Sequence, residues 1–125
     1  MPLQTGLSAT VIVSVTDDDT AIALGSGTVP VLGTPRVLAI CEQAASDAVA
    51  SELGEGMTSV GVQVMLDHVA PSPVGETITA EATLEKVVGR KLFFTTSARD
   101  GRGLVAAGKV VRVIVDVEHF MSKCT

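Results

Sequence analysis

The 125-residue chain has no tryptophan, no tyrosine and only three phenylalanines. An interior built without them rests on Val, Leu, Ile and Ala, and there is no aromatic platform on which bases or sugars would stack. Bases are almost missing from the first two thirds: residues 1–85 hold Arg36 alone against eleven acids, and the formal net charge is −5. This excludes the basic stripe that neutralises phosphates, so no nucleic-acid partner is expected. Cys41 and Cys124 have neither CxxC spacing nor a paired framework, which points to free thiols; no metal or cofactor is expected. No apolar run is long enough to cross a bilayer, and the N-terminal Met1-Pro2-Leu3-Gln4-Thr5-Gly6 lacks the basic and apolar regions of a signal peptide. A cytoplasmic protein without a membrane partner is the expectation.

What is present is organised around residues 33–61, within a chain whose length fits one domain over residues 1–125. Thr34 is placed to cap a helix, Pro35 suits the first helical position, and Gly54 can take the left-handed conformation that stops the helix near Leu53. Between these ends Val37, Leu38, Cys41, Ala44, Ala45, Ala48 and Val49 make an apolar face of mostly small side chains, able to lie close to a sheet. Glu42 interrupts it. Its neighbours three and four positions away are Leu38, Ala39, Ala45 and Ser46, with no base among them. Such a carboxylate is either solvated at the margin of the face or partly buried with a role.

Around this helix the sequence reads as strands. Residues 10–15 are β-branched and end in the acidic turn Asp17-Asp18-Asp19, which lacks the spacing and glycine of a calcium loop and reads as solvated. Residues 21–32, with Gly25-Ser26-Gly27 but no Gly-Lys-Ser/Thr sequel, read as a flexible approach to the helix that can cover a site. Residues 58–69 put Val60, Val62, Val64 and Leu66 on one face and Gly61, Gln63, Met65 and Asp67 on the other, with a bend or bulge expected beside His68, where Pro71 and Pro73 follow. Residues 76–87 alternate with Ile78, Ala80, Ala82 and Leu84 inward. The turn Val88-Gly89-Arg90 leads to residues 91–99, and Asp100-Gly101 marks a hairpin into residues 104–115.

One strand, a long helix and four further strands predict an α+β hotdog arrangement, an antiparallel sheet of about five strands wrapped around one central helix. The long strand over 58–69 is left as an edge, best protected by pairing with its twin, so a homodimer, and possibly a higher oligomer, is expected. The bases concentrated after residue 85 are either solvated at hairpin ends or available to an anion. Arg112, interrupting the apolar run 110–115, is either outward-facing or a binding residue.

Gly33-Thr34 and Glu42 on the helix, Ser59-Val60-Gly61 and His68 on the strand, then Ala70-Pro71, Gly75, Gly89-Arg90, Asp100-Gly101, Gly108 and Arg112 resemble the hotdog thioesterases related to fluoroacetyl-CoA thioesterase, over residues 34–120. The resemblance implies an acyl-CoA thioesterase with Thr34, Glu42 and His68 as catalytic set and Gly61 and Arg112 binding substrate. Threonine, carboxylate and histidine supply the nucleophile, charge and base that thioester hydrolysis needs. It leaves open whether Thr34, Glu42 or water attacks. The fluoroacetyl-CoA enzyme has aromatic residues ahead of its threonine as a lid; residues 18–33 here contain none, which points to a short or branched acyl group instead. Two alternatives remain: a non-catalytic acyl-CoA or lipid-binding hotdog module, and a hotdog dehydratase or hydratase, which would normally present its histidine before the helix carboxylate.

Overall fold

The computed structural model describes residues 3–125; Met1 and Pro2 of the N-terminal stretch lie outside the described residues. Small side chains decide how the layers meet. Helix α2, Thr34–Ala50, buries Val37, Ile40, Cys41, Ala44, Ala45, Ala48 and Val49, a stripe at three- and four-residue spacing. The three alanines let it lie close against strands β1 (Ser8–Ser14) and β3 (Thr77–Val88). Ile40, not Leu38, completes this stripe; Leu38 is half-buried on the flank that also carries Thr34, Glu42 and Ser46.

Both helix ends differ from the sequence expectation. Gly33 is the N-cap, in extended conformation, so Thr34 and Pro35 occupy the first two helical positions. The helix stops at Ala50, with Ser51 as a right-handed cap, and Gly56 rather than Gly54 takes the positive φ. The turn 51–53 already redirects the chain, so no left-handed residue is needed at 54.

The sheet has order β1-β3-β4-β5-β2, all antiparallel, with β2 Met57–His68, β4 Lys91–Asp100 and β5 Gly103–Asp116. It wraps one face around α2. Ile78, Ala80, Ala82 and Leu84 of β3 meet Leu92, Phe94 and Ala98 of β4 and Val110 of β5 beneath the helix, each at most 2 % exposed. This is the hotdog architecture predicted from the strand pattern.

The main departure lies in β2. The bulge is not beside His68, which is still paired with Ala106; it falls between Gly61 and Gln63, leaving Val62 without a partner on β5. An extra residue inverts the alternation. Ser59 and Gly61 face the helix before it, and Val64, Leu66 and His68 face it afterwards, while Val62 and Met65 are exposed. Beyond it, Gly108 of β5 crosses Leu66 so closely that a Cβ would overlap the Met65 carbonyl oxygen.

The approach to α2 is built rather than loose. Asp17–Asp19 forms a 3₁₀ turn and Ala21–Leu24 a short helix, α1, capped by the Thr20 hydroxyl. Asp19 is not a solvated turn residue: it accepts from the Thr16 amide and hydroxyl and pairs with Arg36 Nε at 2.9 Å. Burial pushes its pKa up, but the Thr16 bonds and Arg36 outweigh this and hold it below the ordinary value. A final helix, α3 (Val117–Ser122), follows β5, with Asp116 capping it through the His119 amide.

Candidate active site

The five predicted site residues form two groups. The first joins the start of α2 to the end of β2: Thr34 Oγ1 lies 2.7 Å from His68 Nδ1. If the hydroxyl donates, the imidazole proton sits on Nε2, and that atom is buried without a hydrogen-bond partner. Burial lowers the His68 pKa, and the Ala70 carbonyl opposes it only in part, so the ring is a neutral base at physiological pH. The pair opens onto a cavity of about 320 Å³ whose apolar wall includes Ala21, Val29, Val31, Leu32 and Val69. Residues 21–32 thus cover the site, as the sequence anticipates, but as a pinned segment rather than a flexible one: Thr20 bridges to Leu32 and Val31 to Pro73.

The second group is Glu42, Gly61 and Arg112. Arg112 Nη1 donates to Glu42 Oε2 at 3.0 Å, Nε to Ser59 Oγ at 2.8 Å and Nη2 to the Ser59 carbonyl at 2.7 Å. Arg112 faces the helix and is 8 % exposed, which corrects the outward-facing alternative. Burial lowers its pKa and the Glu42 charge opposes that shift. Its guanidinium is directed at Glu42 and Ser59, not at solvent. Gly61 is required by contact: a Cβ there would overlap Glu42 Oε2. Ser59, named in the motif but given no role, is the residue sequence reasoning missed. Its signal was concealed by the bulge, which puts its hydroxyl on the helix face.

Glu42 does not reach the Thr34–His68 pair within one chain. Eight residues along a helix amount to about 12 Å, and the two groups line separate cavities, the second bordered by Gln43, Ser46, Asp47 and Ser59. Among the described residues no cluster of His, Cys, Asp and Glu is arranged to hold a metal ion, and no helix is long and apolar enough to cross a membrane. Cys41 is buried and Cys124 exposed, both free.

The arrangement has counterparts. A family profile described as fluoroacetyl-CoA-specific thioesterase matches residues 15–118. The chain belongs to this family. It is 33% identical over 93 residues to the fluoroacetyl-CoA thioesterase of Streptantibioticus cattleyicolor, covering 74% of this chain and 67% of that protein. A solved structure of a fluoroacetyl-CoA thioesterase superposes with a TM-score of 0.93 at 28% identity, covering 99% of this chain and 96% of the other. A hot-dog-like protein from Thermanaerovibrio acidaminovorans gives a TM-score of 0.88 at 26% identity, covering 96% and 89%. The chain is thus a thioester hydrolase with the hotdog fold, acting on acyl-CoA.

Proposed function

We propose that the chain hydrolyses a short or branched acyl-CoA to the free acid and coenzyme A, as a cytoplasmic homodimer with residues 1–125 forming one domain, and that Thr34, His68 and Glu42 carry the chemistry. The observation that carries the reading is the 2.7 Å approach of the Thr34 hydroxyl to His68 Nδ1 at the mouth of an apolar cavity. In this reading Nδ1 takes the hydroxyl proton as Thr34 Oγ1 attacks the thioester carbonyl. The tetrahedral intermediate collapses with cleavage of the carbon–sulfur bond, and the thiolate leaves with the proton from His68. Water, with His68 again as base, then hydrolyses the Thr34 ester. The apolar wall has no aromatic residue, which favours an ordinary acyl group over fluoroacetyl.

The homodimer supplies the carboxylate. β2 is a sheet edge carrying exposed Val62 and Met65. A two-fold axis at Met65, three paired positions from His68 and three from Gly61 once the bulged Val62 is skipped, pairs β2 with its twin so that Gly61 lies opposite the partner's His68. Glu42, seated against Gly61, then stands beside the second copy's catalytic pair. Glu42 Oε1 has no hydrogen-bond partner among the described residues, so it is available to substrate held at the second copy's Thr34. Gly61 and Arg112 serve substrate by positioning Glu42, and exposed bases after residue 85, among them Arg90 and Lys123, supply charge for the phosphates. A cytoplasmic setting suits the free, exposed Cys124 thiol.

The test is thiol release from a panel of acyl-CoAs of increasing length and branching. Turnover that is highest on short or branched chains and is lost in both Thr34→Ala and His68→Ala is expected. Full turnover in both variants would overturn the site, and a preference for fluoroacetyl-CoA would overturn the substrate assignment.

A further inference from the structure

We propose that Ser72 and Asp100, which line neither of the two cavities, are positioning residues that hold the segments carrying Thr34 and His68 in register. The inference rests on the thioesterase reading above.

Thr34 and His68 come from different parts of the chain, and a 2.7 Å contact between them requires those parts to be fixed independently of it. Ser72 does this from both sides. It is completely buried, its carbonyl accepts from the Leu32 amide at 2.8 Å, and its hydroxyl donates to Asp100 Oδ2 at 2.8 Å. Leu32 lies two residues before Thr34, and Ser72 four residues after His68. The neighbouring bridge Val31–Pro73 and the bond from the Val69 amide to the Val105 carbonyl, 2.8 Å, continue the same tie.

Asp100 is the fixed end. Its side chain is 3 % exposed, and Oδ1 accepts from the Arg102 amide at 2.8 Å. Arg102 Nη2 reaches the Pro71 carbonyl at 3.3 Å and stands 3.7 Å from Asp100 Oδ2. A buried carboxylate is costly unless its lone pairs are filled, and here they anchor the β4–β5 hairpin to the loop after β2. Burial pushes the Asp100 pKa up, but the Arg102 amide, the Ser72 hydroxyl, the Arg102 charge and the Gly103 amide together hold it below its ordinary value. An apolar plug at this place would fill the space without direction; hydrogen bonds fix angle as well as distance.

The experiment compares Ser72→Ala and Asp100→Asn with Leu84→Val, a core control near the far end of β3, in full-length protein. Asp100→Asn keeps the size of the group and one acceptor oxygen, so it stays informative should Ser72→Ala fold poorly. Positioning predicts that kcat falls between about tenfold and 10²-fold with KM within about twofold. Leu84→Val should lose thermal stability at unchanged kcat. The nitrogen-15 signal of His68 Nδ1 should move toward its value in Thr34→Ala. Wild-type kcat and an unmoved His68 signal in Ser72→Ala and Asp100→Asn, with His68→Ala inactive, would overturn the inference. Full turnover in His68→Ala would instead overturn the thioesterase site, and the His68 signal would then decide the positioning claim alone.

Discussion

Replacing Gly61 by alanine tests whether the carboxylate of Glu42 is held where the chemistry needs it. The new Cβ would overlap Glu42 Oε2, stand 3.1 Å from Cδ and lie 3.4 Å from Arg112 Nη1. The carboxylate must swing away, giving up its 3.0 Å bond to Arg112. A hydrogen bond to a charged group contributes about 1.5–3 kcal/mol. Because Glu42 is about a third exposed at 31%, the low end applies, and the reduced freedom of the unfolded alanine chain returns about 0.4–1 kcal/mol. The net loss is about 1 kcal/mol, a few degrees in Tm. Activity should fall more steeply, by about 10²-fold, since a displacement near 1 Å is enough. Denaturant unfolding and thiol release would be measured for Gly61→Ala, Glu42→Ala and the double variant. In the Glu42→Ala background the Gly61 change should cost nothing. Additivity of the two stability losses to within about 0.5 kcal/mol would refute the contact as the cause.

Thr34→Ala should lower turnover by about 10²-fold or more with stability changed by less than about 0.5 kcal/mol, because the cap is Gly33 and Thr34 is exposed. A large loss of stability would contradict that placement. His68 must be neutral to accept a proton, and its pKa is lowered, so kcat/KM should still exceed half of its plateau at pH 6.5 and fall to half only below it. The unfolded chain binds the His68 proton more readily, so the His68 contribution to stability is complete above the ordinary value of 6.5 and is lost as pH falls from there through the lowered folded value. A rate that halves above 6.5 in step with His68 titration would contradict the burial argument. Met65→Glu, on the exposed β2 edge, should give a monomer in sedimentation and abolish turnover; an active monomer would dismiss the dimer.

The order of the long helix and the five strands and the inward face of β3 were legible because they rest on local signals: alternation, turn glycines, a proline in the first helical turn. The β2 bulge was not. Val60, Gly61, Val62, Gln63 and Val64 alternate cleanly, and only pairing against β5 reveals that Val62 is skipped. The bulge in turn concealed Ser59 and misassigned the face of Gly61. Glu42 lacks a helical partner because its partner, Arg112, lies 70 residues on, across the sheet. Local rules see neither. Thr34, His68 and Glu42 stood out through residue chemistry and family resemblance, whereas the separation of Glu42 from the other two follows only from three-dimensional distance. The helix ends failed for a smaller reason: a glycine and a serine can cap as well as the residues that composition favours.

Subunit complementation tests the shared site most directly. His68→Ala and Glu42→Ala proteins, each inactive alone, are mixed, allowed to exchange subunits and assayed for thiol release. If each site takes His68 from one copy and Glu42 from the other, half the dimers are hybrid with one intact site of two, so about a quarter of wild-type activity should return. A mixture no more active than the two variants separately, with exchange verified by mass, would contradict the account.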